Sequence, residues 1–186
     1  MRILLAVHHL PPRYTGGAEW RAVRTARALI ERGHQVKVVS VERIDHGETG
    51  QLTWQDDWFD GIPVRRLSFN LASAPDAFQW TYDNRWIGDH LRQMLTGFRA
   101  DALHVISGYL ISGRALLEAA GLGIPAVVTL TDFWYMCPHL SLRRSDGTLT
   151  HLPIRPEACA QCLGEERRRY RWFGRLLPGV ARAYWK

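Results

Sequence analysis

The first forty residues restrict the fold more than any other stretch of the chain. Ile3 to Val7 is a continuous apolar run, the pattern of a strand buried on both faces. A loop with Pro11, Pro12, Gly16 and Gly17 follows, and then Ala22, Val23, Ala26, Leu29 and Ile30 recur at helical spacing, with Arg21, Arg24 and Arg32 on the other face. Gly33 predicts the helix stop and Gln35 to Val41 a second buried strand. Strand, helix and strand in this order form a βαβ unit, which requires a parallel pair joined by a right-handed crossover.

Regular alternation resumes further on. A helix is predicted near Asn84 to Phe98, a strand from Ala102 to Ser107, a helix near Gly113 to Ala120 and a strand from Ala126 to Thr131. Between residues 45 and 83 the pattern is weaker. Asp60-Gly61-Ile62-Pro63 reads as a turn into a strand from Val64 to Phe69, and the Trp- and Asp-rich segments beside it read as surface loops. The expected fold is α/β, a Rossmann-like doubly wound and mainly parallel sheet, with its ligand crevice at the carboxyl ends of the strands. Residues 137–163 carry no periodicity and form an irregular Cys-rich loop. From Glu165 on, Phe173, Leu176, Leu177, Val180 and Tyr184 approximate the stripe of a basic C-terminal helix that Pro178 and Gly179 would kink.

Composition narrows the class. With 186 residues, 46% of them hydrophobic, the chain suits one domain with a core and is neither disordered nor collagen-like. No run approaches the roughly 18 apolar residues of a membrane span, and the apolar start is too short for a secretion signal, so a cytoplasmic protein is expected. The net charge of +6 rests almost wholly on arginine, since only Lys37 and Lys186 are lysine. Arginine suits phosphate, nucleic acid or anionic lipid, although a coding bias gives the same ratio. Residues 165–186 hold seven basic and two acidic residues, a net of +5, which leaves +1 for residues 1–164. The nearly neutral body argues against specific nucleic-acid binding over the whole surface.

Three groups of residues carry chemistry. Thr15-Gly16-Gly17-Ala18 joins the first strand to the first helix, where paired glycines let backbone N–H groups approach an anion and the helix dipole favours negative charge. A tight turn needing positive φ explains the same glycines. The loop matches neither Gly-x-Gly-x-x-Gly nor a Walker A sequence. Cys159-Ala160-Gln161-Cys162 has the spacing with which two thiolates meet one tetrahedral zinc, and Cys137 with His151 or His139 would complete four ligands. The third group, Arg167-Arg168-Arg169-Tyr170-Arg171-Trp172-Phe173, suits anionic lipid head groups or nucleic acid. The favoured alternative has its apolar stripe packed on the rest of an enzyme with the arginines in water.

Taken in order, several segments resemble one family. Pro12-Arg13-Tyr14-Thr15-Gly16-Gly17-Ala18-Glu19 and Leu29-Ile30-Glu31-Arg32-Gly33-His34-Gln35-Val36 look like the start of the glycosyltransferase family 4 amino-terminal domain, of GT-B architecture. Asp101-Ala102-Leu103-His104-Val105 is similar to its "PDvvHvH" strand. Gly123 to Leu130 resembles the next strand, and Thr131-Asp132-Phe133-Trp134-Tyr135-Met136-Cys137-Pro138 the "HDyWxxCP" segment. The resemblance implies the acceptor-side half of a two-domain enzyme that moves a sugar, with retention, from a nucleotide-sugar donor to a glycan or lipid-linked acceptor. The partner would be a carboxy-terminal domain that binds the nucleotide and carries a Glu-x7-Glu pair, and residues 1–186 alone would be inactive. It also implies a role in cell-envelope polysaccharide synthesis, at the inner face of the membrane if the basic tail binds there.

On that resemblance Gly16 and Gly17 match the phosphate loop, Glu19 is a polar contact to acceptor or sugar, and Asp132 is the acid expected to orient an acceptor hydroxyl. Thr131 stands where the family commonly has His. His104, inside a strand, reads as a core histidine. Some relatives carry a cysteine after the Asp-Gly turn that corresponds to Asp146-Gly147, close to His151, which favours a structural zinc on Cys137, His151, Cys159 and Cys162 over one using His139. Two other classes compete. Glu42, after the second strand, lies where an NAD-linked Rossmann enzyme places its ribose-binding acid, and a zinc-stabilised module could bind nucleic acid through the tail.

Overall fold

The computed structural model describes residues 1–45, 50–144, 147–150 and 153–166, with isolated positions between 176 and 183. Its compact units are Met1–Thr131 and Asp132–Lys186.

The first unit is built on a six-stranded sheet. In chain order its elements are β1 (Arg2–Val7), α1 (Gly17–Glu31), β2 (Gln35–Arg43), β3 (Leu52–Phe59), β4 (Ile62–Phe69), the single turn α2 (Gln79–Tyr82), α3 (Arg85–Gly97), β5 (Ala102–Ile106), α4 (Arg114–Gly121) and β6 (Ala126–Thr129). The strand order is β3-β4-β2-β1-β5-β6, and every pairing is parallel except β3 with β4. The doubly wound, mainly parallel reading holds.

Both faces of the sheet are covered, which explains the uninterrupted apolar runs. Side chains alternate across a strand, so Leu5 and Val7 of β1 pack with Val36, Val38 and Val64 and with Ala22, Val23 and Ala26 of α1. Leu4 and Ala6 face the other way, among Val39, Leu67, Leu103 and Val105 and the residues Ile87, Leu91 and Leu95 of α3 and Ala115 and Ala119 of α4. Asn84 caps α3, its side-chain oxygen accepting from the Ile87 N–H at 3.1 Å. Leu4 and Leu5 are wholly buried, and a fully buried side chain of this size contributes about 1.5–3 kcal/mol. No helix among the described residues is long and apolar enough to cross a membrane.

Two sequence expectations change. The Trp- and Asp-rich segment is a strand, not a loop: β3 forms a hairpin with β4 around Asp60 and Gly61, both at positive φ. Its outward side chains are polar or Trp, so no apolar alternation marks it. In the second unit Cys159 and Cys162 lie on α5 (Pro156–Glu166) and not in an irregular loop. Asp146, His151 and most of the basic tail, including Phe173 and Tyr184, lie outside the described residues.

Candidate functional site

Strand β1 pairs with β2 on one side and β5 on the other, with Val7 opposite Ser40 and Ile106. Because the helices after β1 and before β5 cover opposite faces, the crevice of such a sheet opens at the carboxyl ends of these two strands. His8 and Ser107 are the next residues after β1 and β5.

His8 holds the centre of this end. Its Nε2 lies 3.2 Å from Oε1 of Glu19, with both side chains largely buried, at 14% and 9% exposure. Glu19 sits in the first turn of α1, so the strand end and the helix N-terminus are tied by one imidazole–carboxylate contact. Tyr109 packs edge-on against His8 with ring centres 5.7 Å apart, and His9 does so at 5.2 Å. His9 donates from Nδ1 to the Val41 carbonyl at 2.7 Å and stacks on Tyr14 at 3.7 Å. Tyr14 in turn donates to the Glu42 carbonyl at 3.0 Å.

The glycine loop acquires a different explanation from a tight turn. Gly16 is the N-cap of α1 at φ −75° and ψ −178°, and neither it nor Gly17 has positive φ. A Cβ on Gly16 would lie 2.5 Å from Oε2 of Glu19, whereas one on Gly17 would meet nothing within 4 Å. Gly16 therefore makes room for the Glu19 carboxylate. Gly17 leaves open space at the start of the helix, where backbone N–H groups and the dipole suit an anion.

Arg66 fixes the loop from below. Buried in β4, it donates to the Pro11 carbonyl at 2.8 Å and to Asp57 at 2.8 Å and reaches Glu42 at 3.3 Å. Glu42 also pairs with Arg13 at 3.5 Å. Glu42 is thus engaged by two arginines. After β5, Ser107, Leu110 and Ser112 all take positive φ, a concentration of left-handed non-glycine residues that costs energy and gathers at functional sites. His104, expected in the core, is half-buried: its Nε2 contacts Thr129 Oγ1 at 2.8 Å, and burial lowers its pKa.

In the second unit Asp132 accepts from the Trp134 N–H at 2.8 Å and is half-buried. Burial first, and the Asp132 charge second, raise the pKa of the Tyr135 hydroxyl. Cys137, Cys159 and Cys162 line a cavity of about 440 Å3 together with His139, Arg144 and Glu157. The expected zinc quartet falls partly outside the described residues and gains no support from those that are described. His151 lies outside the described residues, and among the described residues no three His, Cys, Asp or Glu side chains are placed to hold a metal ion. Cys137, Cys159 and Cys162 are free cysteines. Burial, then the neighbouring Cys137 and Cys162, push the Cys159 thiol up, which favours the protonated form. Cys162 Sγ contacts His139 Nε2 at 3.8 Å.

Sequence reading singled out Gly16, Gly17 and Glu19, and the structure sets His8, His9 and Tyr109, which it did not single out, at the same strand end. The available signal was position: His8 and His9 follow a buried parallel strand directly, where ligands of such sheets bind.

No curated protein sequence matches the chain. A solved α,α-trehalose-phosphate synthase (UDP-forming) from Burkholderia xenovorans, in complex with glucose-6-phosphate, aligns at 12% identity and a TM-score of 0.40 over 69% of this chain and 32% of that one. The chain therefore spans about a third of the length of that enzyme. A family model, "Glycosyl transferase 4-like domain", matches residues 16–183. With that match running from the glycine loop almost to the last residue, the chain belongs to the glycosyl transferase 4-like domain family.

Proposed function

We propose that the chain is the amino-terminal, acceptor-side domain of a retaining GT-B glycosyltransferase that moves a sugar from a nucleotide-sugar donor to a glycan or lipid-linked acceptor. The observation that carries this reading is the meeting of His8, Gly16 and Glu19 at the carboxyl end of β1, within a family match of nearly full length. In this reading the N–H groups at Gly16 and Gly17 face the donor diphosphate and offset its charge as the sugar leaves. Glu19, held by His8, accepts a hydroxyl of the acceptor or the transferred sugar and fixes its orientation. Asp132, matched to the family's acidic motif position, orients an acceptor hydroxyl. The nucleotide and its sugar are held by a further domain with the Glu-x7-Glu pair, so residues 1–186 are inactive alone.

The test is sugar transfer from labelled nucleotide sugars to soluble and lipid-linked glycans. No transfer is expected from residues 1–186 alone. Transfer is expected once they are joined to a domain with the Glu-x7-Glu pair, and replacing His8 by Ala should lower it by about 10²-fold or more, the usual scale for a group that positions or moves a proton. Turnover by residues 1–186 alone, or turnover indifferent to both His8→Ala and Glu19→Gln, overturns the proposal.

A further inference from the structure

The outer strand β3 carries two of the most exposed large apolar side chains in the first unit, Trp54 at 54% and Trp58 at 70% exposure. They lie four residues apart on a strand without bulges, so both point to the same side of the sheet with about 13 Å between them. Asp56, midway between them, is gripped by Arg65 through two hydrogen bonds, the Nε donating to Oδ1 at 2.7 Å, and is approached by Lys37 at 3.7 Å. Arg65 also lies over the Trp54 ring, 5.6 Å from its centre. Beneath Trp54, with ring centres 4.8 Å apart, is His90, which is 5% exposed and whose Nε2 has no hydrogen-bond partner among the described residues.

We infer that this face of β3 is a binding platform for an oligosaccharide, with Trp54 and Trp58 stacking on pyranose rings and Asp56, Arg65 and Lys37 meeting the hydroxyls between them. Indole offers a flat apolar face with a polar edge, which complements a ring whose faces are C–H and whose rim is hydroxyl. The span between the two indoles exceeds one pyranose, so the ligand is a chain and not a single sugar. The cross-paired Asp56 and Arg65 are already held in place, which reduces the ordering cost of binding. A second copy of the chain fits less well. Among antiparallel pairings of two β3 strands about a two-fold axis, the registers that set Asp56 and Asp57 against their counterparts are disfavoured by like charge. The choice of a glycan rests on the proposed glycosyltransferase reading, and the platform then holds the body of an acceptor away from its reacting end.

Trp indole N–H signals report the platform directly. The chain is titrated with neutral oligosaccharides of glucose, mannose and N-acetylglucosamine and with the corresponding monosaccharides, the indole signals of Trp54 and Trp58 being assigned by substitution. At least one oligosaccharide should shift both signals along a single saturable curve, and no monosaccharide should do so at equal concentration. Trp54→Ala and Trp58→Ala should each weaken binding by about tenfold, with Trp58→Tyr restoring most of it and Trp20→Ala leaving it unchanged. No shift from any oligosaccharide, binding that survives both alanine substitutions, or a concentration-dependent dimer through β3 overturns the inference. Because binding is read without turnover, loss of the platform leaves the transferase reading standing. Absence of transfer with binding intact does the reverse.

Discussion

Replacing Gly16 by Ala tests whether the glycine loop is shaped by the Glu19 carboxylate. At φ −75° the backbone accepts alanine without strain, so the substitution acts through the Cβ, which would sit 2.5 Å from Oε2 of Glu19. The carboxylate is the free end of a side chain and can swing away, but only by leaving His8. Exchanging Gly for Ala at an N-cap costs about 0.5–1 kcal/mol, and taking a largely buried carboxylate away from its polar partner costs about 1–3 kcal/mol. His8 and Glu19 are largely buried, so solvent replaces little of that contact. The expected loss is therefore about 1.5–4 kcal/mol by urea unfolding followed by circular dichroism. In a Glu19→Ala background the added methyl meets no carboxylate, and Gly16→Ala should cost only about 0.5–1 kcal/mol. Equal costs in the two backgrounds would show that the two sites do not interact and would refute the carboxylate as the reason for a glycine at position 16.

Four further outcomes follow from the same geometry. Burial, reinforced by the positive charge of Arg65 and Lys37 and opposed by Asp56, lowers the His90 pKa to about 4 from the ordinary 6.5. His90 is thus neutral in the fold, and its contribution is complete above pH 6.5 and lost as pH falls toward 4, because the unfolded chain takes up the proton first. That loss is on the order of 3 kcal/mol, and His90→Gln should flatten this part of the stability profile relative to wild type in urea melts at stepped pH. Arg66→Met leaves the Pro11 carbonyl and the Glu42 carboxylate without their shared donor and should cost about 3 kcal/mol in a thermal or urea melt. On α3, Gly97→Ala meets nothing within 4 Å and should stabilise by about 0.4–1 kcal/mol, whereas Gly88→Ala runs into the stem of Arg114 and should destabilise by about 1 kcal/mol in the same melts.

The parallel core was legible because burial on both faces leaves a strong mark. Strand β1 holds a continuous apolar run, β2 is rich in valine with only Lys37 and Ser40 between its buried valines, and α1 and α3 carry the stripes that cover them. β3 left no such mark. As an outer strand it buries little, and Trp54, Asp56 and Trp58 on one side look like loop residues until the pairing with β4 is seen. The α5 helix was hidden for a related reason. Its start, Pro156 with Glu157, suits a helix N-terminus, but the Cys-x2-Cys spacing suggested a metal loop, and two residues three apart face the same way on a helix as readily as around an ion.

The functional site divides along a similar line. Gly16 and Glu19 could be selected from sequence since they are close in the chain, yet the reason for the glycine could not: a turn needing positive φ and a carboxylate needing space both exclude a side chain. Only the position of Glu19 separates them, and that position is set by His8, eleven residues earlier and on a different element. The dependence runs both ways. An imidazole at the end of β1 is held by a carboxylate at the start of α1, and that carboxylate fits only because residue 16 has no Cβ. The three residues therefore act as one unit in which each substitution should change the effect of the others, and it is this coupling, more than the identity of any one residue, that makes the carboxyl end of β1 the place to look for sugar-transfer chemistry.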